Sequence, residues 1–179
     1  MAASVGRDER HRLFLGIGLP ADAAEAIASW QAHALQGRIV PRENLHITLA
    51  FLGSRPAGEL PAIVDVLGRA AAEARPLRFE VSGYRETRSV GMLTLDDEAG
   101  AASRLARRLH DDLEELGVYR REARPWLPHV TVLRFRERPQ LRPELPALAW
   151  VSSDAAAFLS RLHPSGARYE VHDSFRLGG

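Results

Sequence analysis

Two residue types are missing from this chain of 179 residues, cysteine and lysine. Without cysteine there is no disulfide framework, no thiolate metal site and no cysteine nucleophile. Without lysine there is no Schiff base, no lysine nucleophile and no Walker-type phosphate loop. All 24 basic residues are therefore arginines, which a coding bias towards Ala and Arg also explains. Long apolar runs are missing too. Residues 13–19 form the longest near the start, but glycines interrupt it and Pro20 closes it, too short for a membrane span or a signal peptide. A cytoplasmic protein with no membrane partner is the expectation. At 45% hydrophobic residues the chain can bury the core of a single domain, residues 1–179, with residues 1–10 a flexible polar N-terminus.

A strong charge of either sign is absent as well. A net charge of +1 argues against a general grip on long duplex nucleic acid. Its distribution is uneven. Residues 36–55 carry three Arg against Glu43, and residues 118–138 carry six Arg against Glu122 and Glu137, so positive charge gathers in two segments. That pattern suits a small phosphate-bearing ligand, although charged loops are commonly just solvated surface. No metal and no cofactor is expected. His110 beside Asp111 and Asp112, and His172 beside Asp173, lack the spacing of zinc or two-metal sites. Gly16-Ile17-Gly18 lacks the third glycine of a dinucleotide fingerprint.

The same two basic segments share a motif. Residues 125–134 read PWLPHVTVLR and residues 41–51 read PRENLHITLAF, so each contains His-x-Thr followed by an aliphatic residue. In a β-strand alternate side chains share a face. His46 with Thr48, and His129 with Thr131, then project together while Leu45, Ile47, Leu49, Val130 and Val132 point to the core. On a helix each pair would lie about 200° apart. With seven His and four Thr in the chain, a given His meets Thr two positions on with a chance of about 2%, so two copies are a signal. One copy alone reads more often as a half-buried, hydrogen-bonded strand histidine. Two copies, each after a proline-containing turn, reverse that weighting.

These motifs resemble the signature of the two-histidine phosphoesterases. The wider text, Arg12-Leu13-Phe14-Leu15 before Leu19-Pro20, residues 44–53, and Pro128-His129-Val130-Thr131 with Arg134, resembles the bacterial LigT-like branch of RNA 2',3'-cyclic phosphodiesterases, also called 2'-5' RNA ligases. The resemblance spans nearly the whole chain, and its motifs are short. It implies an α/β (α+β) fold of two pseudo-symmetric lobes, each a small, mainly antiparallel sheet with flanking helices, and a cleft between them. It implies hydrolysis of 2',3'-cyclic phosphates on RNA ends or nucleotides to 2'-phosphates, with 2'-5' ligation as a possible reverse reaction. The same resemblance assigns His46 as general acid, His129 as general base and Arg134 as a phosphate ligand. A monomer is expected.

Periodicity gives the element order β-α-β-α-β-β-α-β-β-β. Strands are expected over residues 11–19, 45–52, 77–84, 90–95, 129–135, within 151–162, and over 169–175. Helices are expected over residues 20–36, 59–74 and 98–116, with Gly37 and Gly117 as stops. Residues 53–58 and 139–146 read as loops. The histidines 83 residues apart place one motif in each half, as two duplicated halves facing across a cleft would require.

Two imidazoles suit a reaction that removes one proton and supplies another, because His titrates near neutral pH. The Thr48 and Thr131 hydroxyls share the imidazole faces and could donate to non-bridging phosphate oxygens. Arg134 lies five residues after His129 and has the wrong parity. A bulge near Leu133, or the strand end, is needed to turn it to the site. Phe51 occupies the corresponding position in the first copy. Phe51 and Trp126 could stack a nucleobase, though packing against the lobe is the stronger reading. His11, His33, His110, His163 and His172 are expected at the surface. Two other functions fit: hydrolysis of another small cyclic phosphodiester such as one derived from ADP-ribose, and a non-catalytic RNA-end-binding module.

Overall fold

The computed structural model describes residues 9–178. The expected flexible N-terminus falls mostly outside them, but Arg10 already belongs to the first strand. In chain order the elements are β1 (Arg10–Gly18), α1 (Ala21–Ala34), β2 (Arg38–Ile39), β3 (His46–Pro56), α2 (Leu60–Glu73), β4 (Leu77–Glu86), β5 (Val90–Asp97), α3 (Ala101–Glu115), β6 (His129–Arg134), β7 (Ala149–Ser152), β8 (Asp154–His163) and β9 (Gly166–Arg176). All ten expected elements are present, in order. Two short strands, β2 and β7, were not expected: at two and four residues they are too short to show a period. Residues 53–58 are not simply a loop. The strand β3 continues to Pro56 because Arg10 to Leu13 of β1 pair with it along its whole second half.

Two antiparallel sheets form, in the orders β3-β1-β8-β9 and β2-β6-β5-β4-β7. The motif strands β3 and β6 each sit beside the strand that precedes them by one helix, β1 and β5. The sheets thus match as β3-β1-β8-β9 onto β6-β5-β4-β7. They are not sequential halves, however. The first sheet takes both ends of the chain, so a simple duplication of two halves does not describe the connectivity.

The helices cross over. Helix α1 follows β1 of the first sheet, yet its Gln31 and Trp30 meet β6 and β4 of the second. Helix α3 follows β5 of the second sheet and packs on β3 of the first. Helix α2 lies against β8, β9 and α3. One continuous core results, in which Ile17, Ile47 and Leu49 join Phe79, Leu93, Val130 and Val132. Leu45, Ile47, Leu49, Val130 and Val132 are all buried, as the strand parity requires. Among the described residues no helix is long and apolar enough to cross a membrane.

Gly16 lies opposite Thr48 in the β1–β3 ladder. A Cβ there would stand 2.8 Å from the Ile47 carbonyl oxygen, a backbone atom that cannot swing away. Replacing Gly16 by Ala is therefore expected to destabilise the fold by about 1–3 kcal/mol, the usual range for overpacking. The urea midpoint measures it, and an unchanged midpoint would show that β3 is free to shift.

Candidate active site

The motif strands β3 and β6 meet where the two sheets come together, and they have the same local form. From His46 to Phe51 and from His129 to Arg134 the burial runs partly buried, buried, partly buried, buried, buried, exposed in both. The doubled buried position marks a bulge. On β3, Ala50 and Thr48 pair with the adjacent residues Leu15 and Gly16, leaving Leu49 extra. On β6, Leu133 and Thr131 pair with Gly91 and Met92, leaving Val132 extra. Each bulge follows the threonine and reverses the parity of what comes next.

The reversal matters for Arg134. It turns the guanidinium onto the side of His129 and Thr131, close enough that its charge acts on His46. The same reversal in the first copy puts Phe51 opposite Phe14, whose ring packs on His46. Phe51 is 49% exposed and carries the Arg12 guanidinium 4.9 Å above its ring centre.

In each copy a buried side chain from the crossed-over helix donates to the bulge carbonyl, which at Val132 also accepts from the Val40 amide at 3.0 Å. Gln31 Nε2 donates to the Val132 carbonyl at 2.8 Å and the Val40 carbonyl at 3.1 Å. His110 Nε2 donates to the Leu49 carbonyl at 2.8 Å. The expected surface position of His110 is thus corrected: it is 8% exposed and braces the first motif strand. Its neighbours Asp111 and Asp112 point outward, and their polarity hid the buried face of α3. Sequence reasoning passed over Gln31, whose signal was its place on the buried face of α1 with Ala23, Ala24 and Ile27.

The imidazoles are held alike. His46 Nδ1 lies 2.7 Å from the Asn44 carbonyl oxygen and His129 Nδ1 lies 2.8 Å from that of Leu127. A carbonyl only accepts, so each neutral ring carries its proton on Nδ1 and leaves Nε2 as the basic atom. His46 Nε2 accepts from the Thr48 hydroxyl at 2.9 Å. Trp126 donates its Nε1–H to the Thr48 carbonyl at 3.0 Å, so the approach to the second motif is tied to the first, in line with a packing role.

Surroundings separate the two rings. His46 is enclosed by Phe14 at 4.6 Å, Tyr169 edge-on at 5.1 Å and Phe158 at 6.2 Å between ring centres. Sequence reasoning singled out none of these three, which come from β1, β8 and β9 and converge only in the folded sheet. Their burial of the ring disfavours imidazolium and pushes His46 down to about 4. The Asn44 hydrogen bond opposes this, and the charges of His129 and Arg134 reinforce it. The geometry is that of an anion site with two nitrogen bases, two hydroxyls and one guanidinium.

The comparisons with known proteins agree with this architecture. The sequence model of the 2'-5' RNA ligase superfamily matches residues 19–163. Similar proteins include one from Thermus thermophilus, 32% identical over 94% of this chain and 91% of its own length, and one from Escherichia coli, 33% identical over 70% of this chain and 73% of its own. Both are named RNA 2',3'-cyclic phosphodiesterase. Among solved structures, a Thermus thermophilus protein superposes with a TM-score of 0.82 at 32% identity, covering 94% of this chain and 98% of its own. Escherichia coli LigT complexed with 3'-AMP superposes with a TM-score of 0.84 at 26% identity, covering 96% of this chain and all of its own. This chain belongs to the 2'-5' RNA ligase superfamily, the two-histidine phosphoesterases.

Two outcomes follow from the site's construction. His110→Leu removes the donor from the Leu49 carbonyl and should cost about 1–3 kcal/mol in the urea midpoint, the range for a buried acceptor left unpaired. His110→Gln, which keeps a donor, should recover most of it. Equal stability of the Leu variant and the parent would show that the bulge needs no brace. The second concerns pH. Because the folded state holds His46 at about 4 and the unfolded chain at 6.5, the unfolded state binds the proton first. Stability should be full above pH 6.5 and decline between pH 6.5 and 4, and His46→Gln should flatten that part of the decline. A His46 ring titrating near 6.5 by NMR in the free protein would refute it.

Proposed function

We propose that this protein is an RNA 2',3'-cyclic phosphodiesterase that opens the cyclic phosphate of an RNA end or nucleotide by histidine acid–base chemistry. The observation that carries the proposal is the pair of imidazoles with their Nδ1 protons committed to backbone carbonyls, leaving both Nε2 atoms to exchange protons at one phosphate. The names of the superfamily relatives support the substrate class. A binder of RNA ends would need hydroxyls and a guanidinium but has no use for two nitrogen bases so held. Both motif strands come from one chain, so the proposed working form is a monomer.

In the proposed reaction the neutral Nε2 of His129 takes the proton of a water as its oxygen bonds to phosphorus. The bond from phosphorus to the 3' oxygen breaks, and protonated His46 gives that oxygen its proton, leaving a 2'-phosphate. Thr48, Thr131 and Arg134 donate to the non-bridging oxygens, where negative charge grows in the transition state. Side chains supply all proton transfer and charge neutralisation, so no metal is invoked. Run in the same direction with an RNA 5' hydroxyl in place of water, the same steps make a 2'-5' linkage, and run backwards they cleave it to the cyclic phosphate.

The acid role of His46 must be reconciled with its low pKa in the free protein. A bound phosphate supplies the missing negative charge, counters His129 and Arg134, and raises the ring towards the imidazolium form. The low value itself favours a second assignment, with His46 as base and His129 as acid. Leaving-group chemistry separates the two. His46→Ala and His129→Ala should each slow hydrolysis of a 2',3'-cyclic nucleotide by about 10²–10⁴-fold. On a p-nitrophenyl diester, whose leaving group needs little protonation, His46→Ala should be far less impaired and His129→Ala should remain impaired. The reverse pattern exchanges the roles, and undiminished turnover by either folded variant removes that residue from the chemistry.

A further inference from the structure

Beside the reacting groups lies a cavity of about 340 Å³ lined by Arg38, Ser89, Arg134, Phe135 and Arg136. Two of its three arginines share one face for reasons built into the strands. Arg38 of β2 sits directly opposite Arg134 of β6, and opposed residues of an antiparallel pair project to the same side. Arg136 lies in the bend just past the end of β6, anchored by the Phe135 amide donating to the Ser89 carbonyl at 3.0 Å, and that bend brings its side chain to the same cavity.

Like charges placed opposite one another across a ladder repel. Some neighbouring arginines are neutralised, Arg42 by Glu25 at 2.7 Å, Arg55 by Glu59 at 2.6 Å, and Arg138, two residues beyond Arg136, by Glu86 at 3.2 Å, while among the described residues others such as Arg107 stand alone in solvent; what distinguishes the three here is that they line one cavity. Among the described residues, no carboxylate lies within ion-pair distance of Arg38, Arg134 or Arg136. The proposed reaction needs only Arg134. A cyclic phosphodiester carries a single negative charge, so the other two guanidiniums are in excess of it.

We propose that Arg38 and Arg136 hold a second phosphate of the substrate, the internucleotide phosphate one residue 5' of the cyclic phosphate, so that the preferred substrate is an RNA 3' end rather than a free cyclic nucleotide. This rests on the cyclic phosphodiesterase reading above and adds the substrate class. Arg134 stands between the two phosphates and serves the reacting one. The Ser89 hydroxyl adds a neutral donor, and the Phe135 ring gives the penultimate nucleoside an apolar wall. The Arg38 guanidinium also reaches the β8–β9 turn, 3.7 Å from where a Cβ on Gly166 would stand, so the subsite lies where the two sheets' edges meet.

The test compares kcat/KM on a 2',3'-cyclic mononucleotide with that on a dinucleotide ending in the same cyclic phosphate. The parent, Arg38→Gln, Arg136→Gln, the double variant and Arg107→Gln are each measured, the last removing one exposed charge from the outer face of α3. The parent should prefer the dinucleotide at least tenfold. The double variant should bring that ratio close to one, with Arg107→Gln leaving it intact. The dinucleotide's salt slope should be steeper than the mononucleotide's by about 0.7 in the parent, one single-strand phosphate contact, and the difference should vanish in the double variant. No preference in the parent, or a preference that survives in the double variant, overturns the subsite. If an ADP-ribose cyclic phosphate gains from Arg38 and Arg136 and the dinucleotide does not, the RNA assignment is overturned. Binding of 2'-phosphorylated mono- and dinucleotides separates this from the parent reading. Arginine-dependent tighter binding of the dinucleotide without turnover of any cyclic phosphate supports the subsite while sinking the enzyme. Equal binding of the two sinks the subsite.

Discussion

Two backbone carbonyls, those of Leu49 and Val132, hold the site together. Each belongs to the extra residue of a β-bulge in the apolar core and accepts from a side chain of a crossed-over helix, the Val132 carbonyl also accepting from the Val40 amide at 3.0 Å. A buried carbonyl left unpaired costs about as much as a lost hydrogen bond and more than a typical surface contact returns. The bulges persist because His110 and Gln31 reach them through the core. Without the bulges the strands would alternate regularly, and Arg134 and Phe51 would point into the core instead of towards the histidines. Backbone irregularity, normally a loss of pairing, is here what gives one strand three consecutive functional positions with spacing two and three.

The braces come from the wrong helices, by simple chain order, and this is what makes the two lobes one body. Helix α1 is covalently part of the first β-α-β unit and energetically part of the second sheet, and α3 is the reverse. Separating the sheets would expose Ile27 and Leu109 as well as remove the His110 and Gln31 donors from the bulges, so movement between lobes is coupled to loosening of the site itself. The exchange also fixes the relative position of His46 and His129, which lie on different sheets. Trp126 adds a third tie, from the approach to β6 onto the Thr48 carbonyl. The proposed reaction, with a proton-transfer group on either side of one phosphorus, would demand rigidity of this kind, because a misplacement of about 1 Å can cost about 10²-fold in rate.

The sequence made the strand-borne part of this legible and the crossing part opaque. His46, Thr48, His129 and Thr131 were readable because strand parity is local: four residues suffice to tell which side chains share a face. The parity conflict at Arg134 was readable for the same reason, and it required a bulge near Leu133; the structure has one at Val132. Ten elements followed from periodicity, while β2 and β7 were too short to have any. What could not be read depends on contacts more than 30 residues apart. His110 and Gln31 look like ordinary polar residues of amphipathic helices until the helix is known to pack on the other sheet. Phe14, Phe158 and Tyr169 become a cage only when β3, β1, β8 and β9 lie side by side. Arg38 gains meaning only opposite Arg134. The interleaved connectivity was hidden by the near-even spacing of the motifs, which imitates two sequential halves.

That cage makes the two halves of a symmetric frame chemically unequal. The backbone treats His46 and His129 identically, with the same Nδ1 bond to the carbonyl two residues before. Only the side chains above them differ. Aromatic rings leave His46 only partly exposed and offer no charge in return, so in the proposed reaction its proton affinity responds to the anion that enters the cleft. The charges of His129 and Arg134 act against a proton on His46, and in the proposed reaction a bound phosphate would oppose them. A histidine in water would respond weakly to the same anion, because solvent would screen it. In the proposed reaction, enclosure would therefore couple substrate binding to protonation at His46, the more enclosed histidine of the pair.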